Sequence, residues 1–227
     1  MPFSLEEVVP WGRSFKEYVA MFALTEADLQ KRILGCSDGP AAFNADLTRR
    51  DGKIISVDPL YQFSADEIKR RIDETYPLIM DQVAEFPDEF VWTYIPTLED
   101  LGRIRMDAMN TFLKDYPQGK QDGRYVEASL PKLPFEDHSF DLVLTSHFLF
   151  LYSPQFSFDF HMESIRELCR IAPEVRIFPL LELGSKPSRY VEPVLEQLQK
   201  EGYHTEILPV DFEFQKGGNE MLRVTLG

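Results

Sequence analysis

The sequence has little cysteine, histidine or tryptophan, and it is short of positive charge. Its 227 residues include two cysteines, four histidines and two tryptophans. Cys36 and Cys169 stand far apart, which argues against a secreted disulfide scaffold and for a reducing, cytoplasmic setting. No CxxC pair and no HExxH spacing occurs, so no metal site is expected. Lysine and arginine number 24 against 38 acidic residues, a formal charge of −14. Phosphate binding needs a positive field, so this balance argues against a duplex nucleic-acid partner and against anionic membrane surfaces. The most apolar window, Leu142 to Tyr152, is interrupted by Thr145, Ser146 and His147. It falls short of the roughly 20 residues that cross a bilayer. The opening stretch MPFSLEEVVPWGRSF carries no apolar leader core, and the acid pairs Glu6-Glu7 and Asp88-Glu89 read as solvated surface.

What is present is enough for a core: 44% hydrophobic residues, 13% aromatic, with 18 phenylalanines. A single domain over residues 1–227 is expected. Ser14 with Glu17, and Thr25 with Asp28, have the spacing of helix starts, so two short helices are predicted first. A strand at Arg32 to Leu34, a Gly-containing loop, a helix at Ala41 to Thr48 and the β-rich run KIISV then form a βαβ unit. Residues 61–123 read as a helical insertion or cap, with Pro77 as a kink or break. Strands are expected at Tyr125 to Ala128, Phe140 to Ser146 and Val175 to Pro179, with helices at Phe160 to Arg170 and Ser188 to Lys200. The runs Tyr203 to Pro209 and Met221 to Thr225, with Gly217-Gly218 between them, predict a closing antiparallel hairpin.

The stretch ILGCSDGPAAFN followed by ISVDPLY carries the chemistry. Glycines at 35 and 39 let the backbone turn and approach a ligand, and the next helix points amides at it. Asp58 ends the second strand, 23 residues after Gly35, where a carboxylate can accept both hydroxyls of a ribose. The loop reads G-x-S-x-G, not the G-x-G-x-x-G of a dinucleotide site. It resembles the first motif of class I S-adenosylmethionine-dependent methyltransferases. The stretch LPFEDHSFDLV is similar to the entry into that family's fourth strand, and the closing hairpin matches its ending.

The resemblance implies a Rossmann-like α/β fold: a mostly parallel seven-stranded sheet with a C-terminal antiparallel hairpin and a helical insertion. It implies S-adenosylmethionine as cofactor and a small or medium-sized acceptor as partner. Carried over by position, Gly35, Ser37 and Gly39 line the methionine and ribose part, and Asp58 takes the ribose hydroxyls. Ala128, Ser129 and Leu130 fall beside the adenine. Ser146 and His147 fall near the methyl donor, with His147 the candidate general base. The departures are Ile33 in place of a common acid, Ser37 in place of the middle glycine, and no clear acid beside the adenine, Glu127 being nearest. On this reading Asp58→Ala removes most of the stabilisation that the bound cofactor gives and leaves the unbound fold nearly unchanged. The aromatic stretch Phe90, Trp92 and Tyr94 is expected to turn side chains toward the acceptor. Two rival readings stand beside it: a cofactor-binding protein without transfer activity, and a nicotinamide-dependent oxidoreductase.

Overall fold

The computed structural model describes residues 9–226. The opening eight residues, with the expectation for Glu6-Glu7, lie outside the described residues. Helix α1 (Phe15–Met21) starts at a capping box in which Ser14 and Glu17 satisfy each other's backbone amides. Thr25 and Asp28 make the same reciprocal bonds, yet the segment stops at a 3-10 turn, Asp28–Gln30, where a second short helix was expected. Next come β1 (Arg32–Cys36), α2 (Phe43–Thr48) and β2 (Lys53–Val57). Helices α3 (Ala65–Glu85) and α4 (Leu98–Gln121) follow. Pro77 lies inside α3 and does not end it. The remaining order is β3 (Tyr125–Val126), β4 (Leu142–Ser146), α5 (Phe158–Ile171) and β5 (Glu174–Phe178). After it come β6 (Leu181–Glu182), β7 (Lys186–Pro187), α6 (Val191–Lys200), β8 (Tyr203–Pro209) and β9 (Glu220–Leu226). The β6–β7 hairpin carries no signal that the sequence reading detected.

Seven strands form one sheet in the order β3-β2-β1-β4-β5-β9-β8. The pairs from β3 to β5 are parallel, and β9 runs antiparallel to both β5 and β8. The chain steps outward from β1 to β3, then returns to place β4 on the other side of β1. That reversal opens a crevice at the carboxyl ends of the strands, where α/β folds bind ligands.

Alternation along each strand divides the core between the two faces. Leu34 and Cys36 of β1 join Val143, Val175 and Ile177 under α5 and α6. Ile33, Leu142 and Leu144 face the other way, against Tyr18, Phe22 and Phe43. All five residues of β4 are buried, as expected of a central parallel strand. A third cluster ties Ile68 and Ile72 of α3 to Phe112 and Tyr116 of α4 and to Tyr125 of β3. Because α4 packs on both α2 and β3, it serves as the crossover from β2 to β3. The βα alternation therefore continues through 61–123, and the added material is α3 with residues 86–97.

Candidate functional site

The loop after β1 carries two left-handed residues, Ser37 at φ 58° and Gly39 at φ 54°. Serine is held there against its intrinsic preference, a strain of the kind found at ligand sites. Gly35 is needed for a different reason: a Cβ on it would lie 1.8 Å from Asp38 Oδ2. The loop thus folds the Asp38 carboxylate back onto its own strand. Tyr18 donates to Asp38 Oδ1 at 2.8 Å and Ser56 donates to Oδ2 at 2.7 Å. Burial raises the Asp38 carboxyl to about 6 despite these two donors. The sequence reading passed over Asp38, because an acid in a Gly loop is ordinarily solvated. Its neighbour Cys36 is buried, and burial pushes its thiol up, so it behaves as an inert filler.

Asp58 works twice within the backbone. Its Oδ2 accepts the Gly39 amide at 2.9 Å and its Oδ1 accepts the Leu60 amide at 2.7 Å. It therefore pins the β1 loop to the end of β2 and caps the following 3-10 turn, Pro59–Gln62. Each oxygen keeps a second lone pair for a ligand.

A cavity of about 580 Å³ lies along these strand ends, within the usual range for small-molecule sites. Ser37, Gly39, Asp58, Ser129, Leu130, Ser146 and His147 all border it. Gly35 and Ala128 do not: Gly35 sits behind Asp38, and Ala128 packs against the core beneath α5 and α6. Asp38 and Tyr18 border it as well. The expected strand at Tyr125 to Ala128 ends at Val126, and of the following loop Ser129 and Leu130 reach the cavity edge.

His147 follows β4 in the left-handed region, at φ 53°. Its Nδ1 lies 2.8 Å from Ser146 Oγ, and its ring meets Phe178 edge-on. Burial, and then the nearby guanidiniums of Arg13 and Arg105, hold the imidazole well below its ordinary value, so it is neutral at pH 7.

The aromatic stretch divides. Phe90 reaches the cavity wall, whereas Trp92 does not. Trp92 donates its indole N–H to the Pro87 carbonyl at 3.0 Å and meets Phe214 edge-on, so its part is to brace the residues behind the wall. Tyr94 also lies outside the wall, packed edge-on against Phe212. Phe212 and Phe214, from the β8–β9 connection, close the apolar side instead. The cavity also receives Arg13 and Arg105, which sequence reasoning missed. The only available signal was Arg105 on the apolar face of α4.

A family model described as a methyltransferase domain matches residues 103–172, from α4 through α5. An uncharacterized protein of Methanocaldococcus jannaschii is 33% identical over 220 residues, covering 96% of each chain. Among solved structures, a methyltransferase from Thermotoga maritima, described as a possible histamine N-methyltransferase, is 13% identical. That likeness covers 94% of this chain and 90% of the other, with a TM-score of 0.45. A TehB-like S-adenosylmethionine-dependent methyltransferase from Corynebacterium glutamicum is 14% identical over 92% of this chain and 86% of its own, with a TM-score of 0.48. The domain match over residues 103–172 and the sheet order β3-β2-β1-β4-β5-β9-β8 give this chain the Rossmann-like fold of class I S-adenosylmethionine-dependent methyltransferases, and its 33% identity over nearly the whole length places it in one family with the uncharacterized Methanocaldococcus protein.

Proposed function

We propose that the protein transfers a methyl group from S-adenosylmethionine to a small or medium-sized acceptor held in the 580 Å³ cavity. The observation that carries this reading is the convergence of Gly39, Asp58, Ser129 and Ser146, from four separate strand ends, on that one cavity. The residues fit the cofactor. Nothing lies within 4 Å of where a Gly39 Cβ would stand, so a ligand can approach the backbone there. When bound, S-adenosylmethionine supplies an electrophilic methyl on a sulfonium centre. Asp58 would take the ribose hydroxyls on its remaining lone pairs, and Ser129 and Leu130 would flank the adenine.

The apolar walls exclude water, and the enclosed geometry aligns the acceptor, which is where most of the rate enhancement of a displacement arises. His147 is neutral, and the tautomer whose Nδ1–H donates to Ser146 Oγ leaves Nε2 to accept a hydrogen bond from the acceptor. An imidazole of such low basicity orients the acceptor and takes a proton only once that proton has become acidic. Ser37, a residue with a side chain at a left-handed position bordering the cavity, favours binding without transfer as a second reading.

The test measures binding and turnover separately. S-adenosylhomocysteine should stabilise the fold by about 2.7 kcal/mol at a hundredfold excess over Kd. Labelled methyl should pass from S-adenosylmethionine to a member of an acceptor panel. No calorimetric binding at millimolar S-adenosylhomocysteine overturns both readings, and binding without labelled product favours the second.

A further inference from the structure

Two guanidiniums converge on the cavity with one carboxylate between them. Arg105, from α4, is wholly buried, and its Nη1 lies 2.6 and 2.8 Å from the two oxygens of Glu17. Its Nε and Nη2 have no hydrogen-bond partner among the described residues. Those two nitrogens form one edge of the guanidinium, the fork that matches both oxygens of a carboxylate. Arg13 gives its Nη1 to the Trp11 carbonyl at 2.7 Å, and its Nε is likewise unpartnered among the described residues. Both arginines border the cavity. One glutamate does not neutralise two guanidiniums. Burial, and then the neighbouring Arg105, bring the Arg13 guanidinium down to about 9.

Buried donors left unsatisfied are costly, and both side chains border the cavity, so a ligand that reaches them from it supplies the missing acceptors. The neighbourhood shows which ligand. Both arginines border the same cavity as His147, which follows β4. The cavity wall near that strand end is apolar, with Phe148, Leu151, Phe156 and Phe160, and with Phe212 and Phe214 from the β8–β9 connection. A ligand suited to both parts has an anionic head and an apolar, aromatic-sized body.

We propose that Arg13 and Arg105 anchor a carboxylate of the methyl acceptor, which makes the substrate class a small organic acid with an apolar body. This rests on the methyltransferase reading. The same chemistry has a second source, the carboxylate of the cofactor's own methionine portion, and the experiment separates the two.

The experiment uses the full chain and titrates 3-phenylpropionate and its uncharged amide by calorimetry, with S-adenosylhomocysteine saturating. The acid should bind at least tenfold more tightly than the amide. Arg105→Gln alone strands Glu17 in the interior, so the variants compared are R13Q and the double variant E17Q/R105Q. Each should lower the affinity for the acid tenfold or more and leave that for the amide unchanged. Equal affinities for acid and amide in the wild type, or no binding of either at millimolar concentration, overturn the proposal. So does an acid that competes with S-adenosylhomocysteine but not with 5′-methylthioadenosine, which lacks the amino-acid portion; the arginines then hold the cofactor. If S-adenosylhomocysteine does not bind at all, the methyltransferase reading fails. The acid–amide comparison on the ligand-free chain then still decides whether the arginines hold an anion.

Discussion

The phenol of Tyr18 donates to the buried carboxylate of Asp38 across 2.8 Å, which joins α1 to the loop after β1. Ser56 of β2 donates to the other oxygen at 2.7 Å and itself receives the Asn44 amide of α2 at 3.1 Å. The acid of the β1 loop therefore ties α1 and β2 together beside the cavity, with α2 linked to it through Ser56.

Asp38 makes stability depend on pH in a defined sense. Burial raises its carboxyl from 3.8 to about 6, so the folded state binds the proton more tightly than the unfolded chain does. The stability contributed by this group is present in full below the unfolded value and is lost as pH rises through about 6. The raised carboxyl corresponds to on the order of 3 kcal/mol. Urea unfolding of the wild type and of Asp38→Asn from pH 4 to pH 7 should show the wild type losing that much relative to the variant. Parallel curves for the two proteins count against the assignment.

Asp58→Ala should weaken S-adenosylhomocysteine binding more than tenfold, and it should also destabilise the unbound protein. The sequence reading expected a nearly unchanged unbound fold, but the carboxylate accepts two backbone amides, from Gly39 and Leu60. Stranding part-buried amides costs about 1–3 kcal/mol. Chemical denaturation without ligand checks the second effect, and calorimetry the first. A variant as stable as the wild type shows that the two amides find water instead.

The two loop glycines should respond differently to alanine. At Gly39 the left-handed backbone costs roughly 1–2 kcal/mol, with no steric clash in the unbound protein. At Gly35 the new methyl falls 1.8 Å from Asp38 Oδ2 and expels the carboxylate from Tyr18 and Ser56. Gly35→Ala should therefore be the more damaging, by about 2 kcal/mol or more, because a buried network is broken. Denaturation midpoints rank the two, and the reverse order contradicts the packing described for Asp38.

The sequence by itself determined the sheet and the strand ends that border the cavity. Strand periodicity, the G-x-S-x-G loop, Asp58 at the end of KIISV and the closing hairpin are local patterns, written in consecutive residues and fixed by backbone sterics and alternation. The capping box at Ser14 and Glu17 was legible for the same reason. The tertiary structure alone decided the rest of the cavity. Glu17 meets Arg105 across 88 residues of chain, and Tyr18 meets Asp38 across 20. No spacing rule links such positions, because their approach follows from how α1 and α4 pack over the strand ends. The same packing turned Phe90 to the cavity and Trp92 away from it, although the two are only two residues apart in an irregular segment without a repeating face. It also buried the Arg105 guanidinium and half-buried Arg13, which composition assigns to the surface, since the cost of removing a charge from water depends on which neighbours the fold supplies.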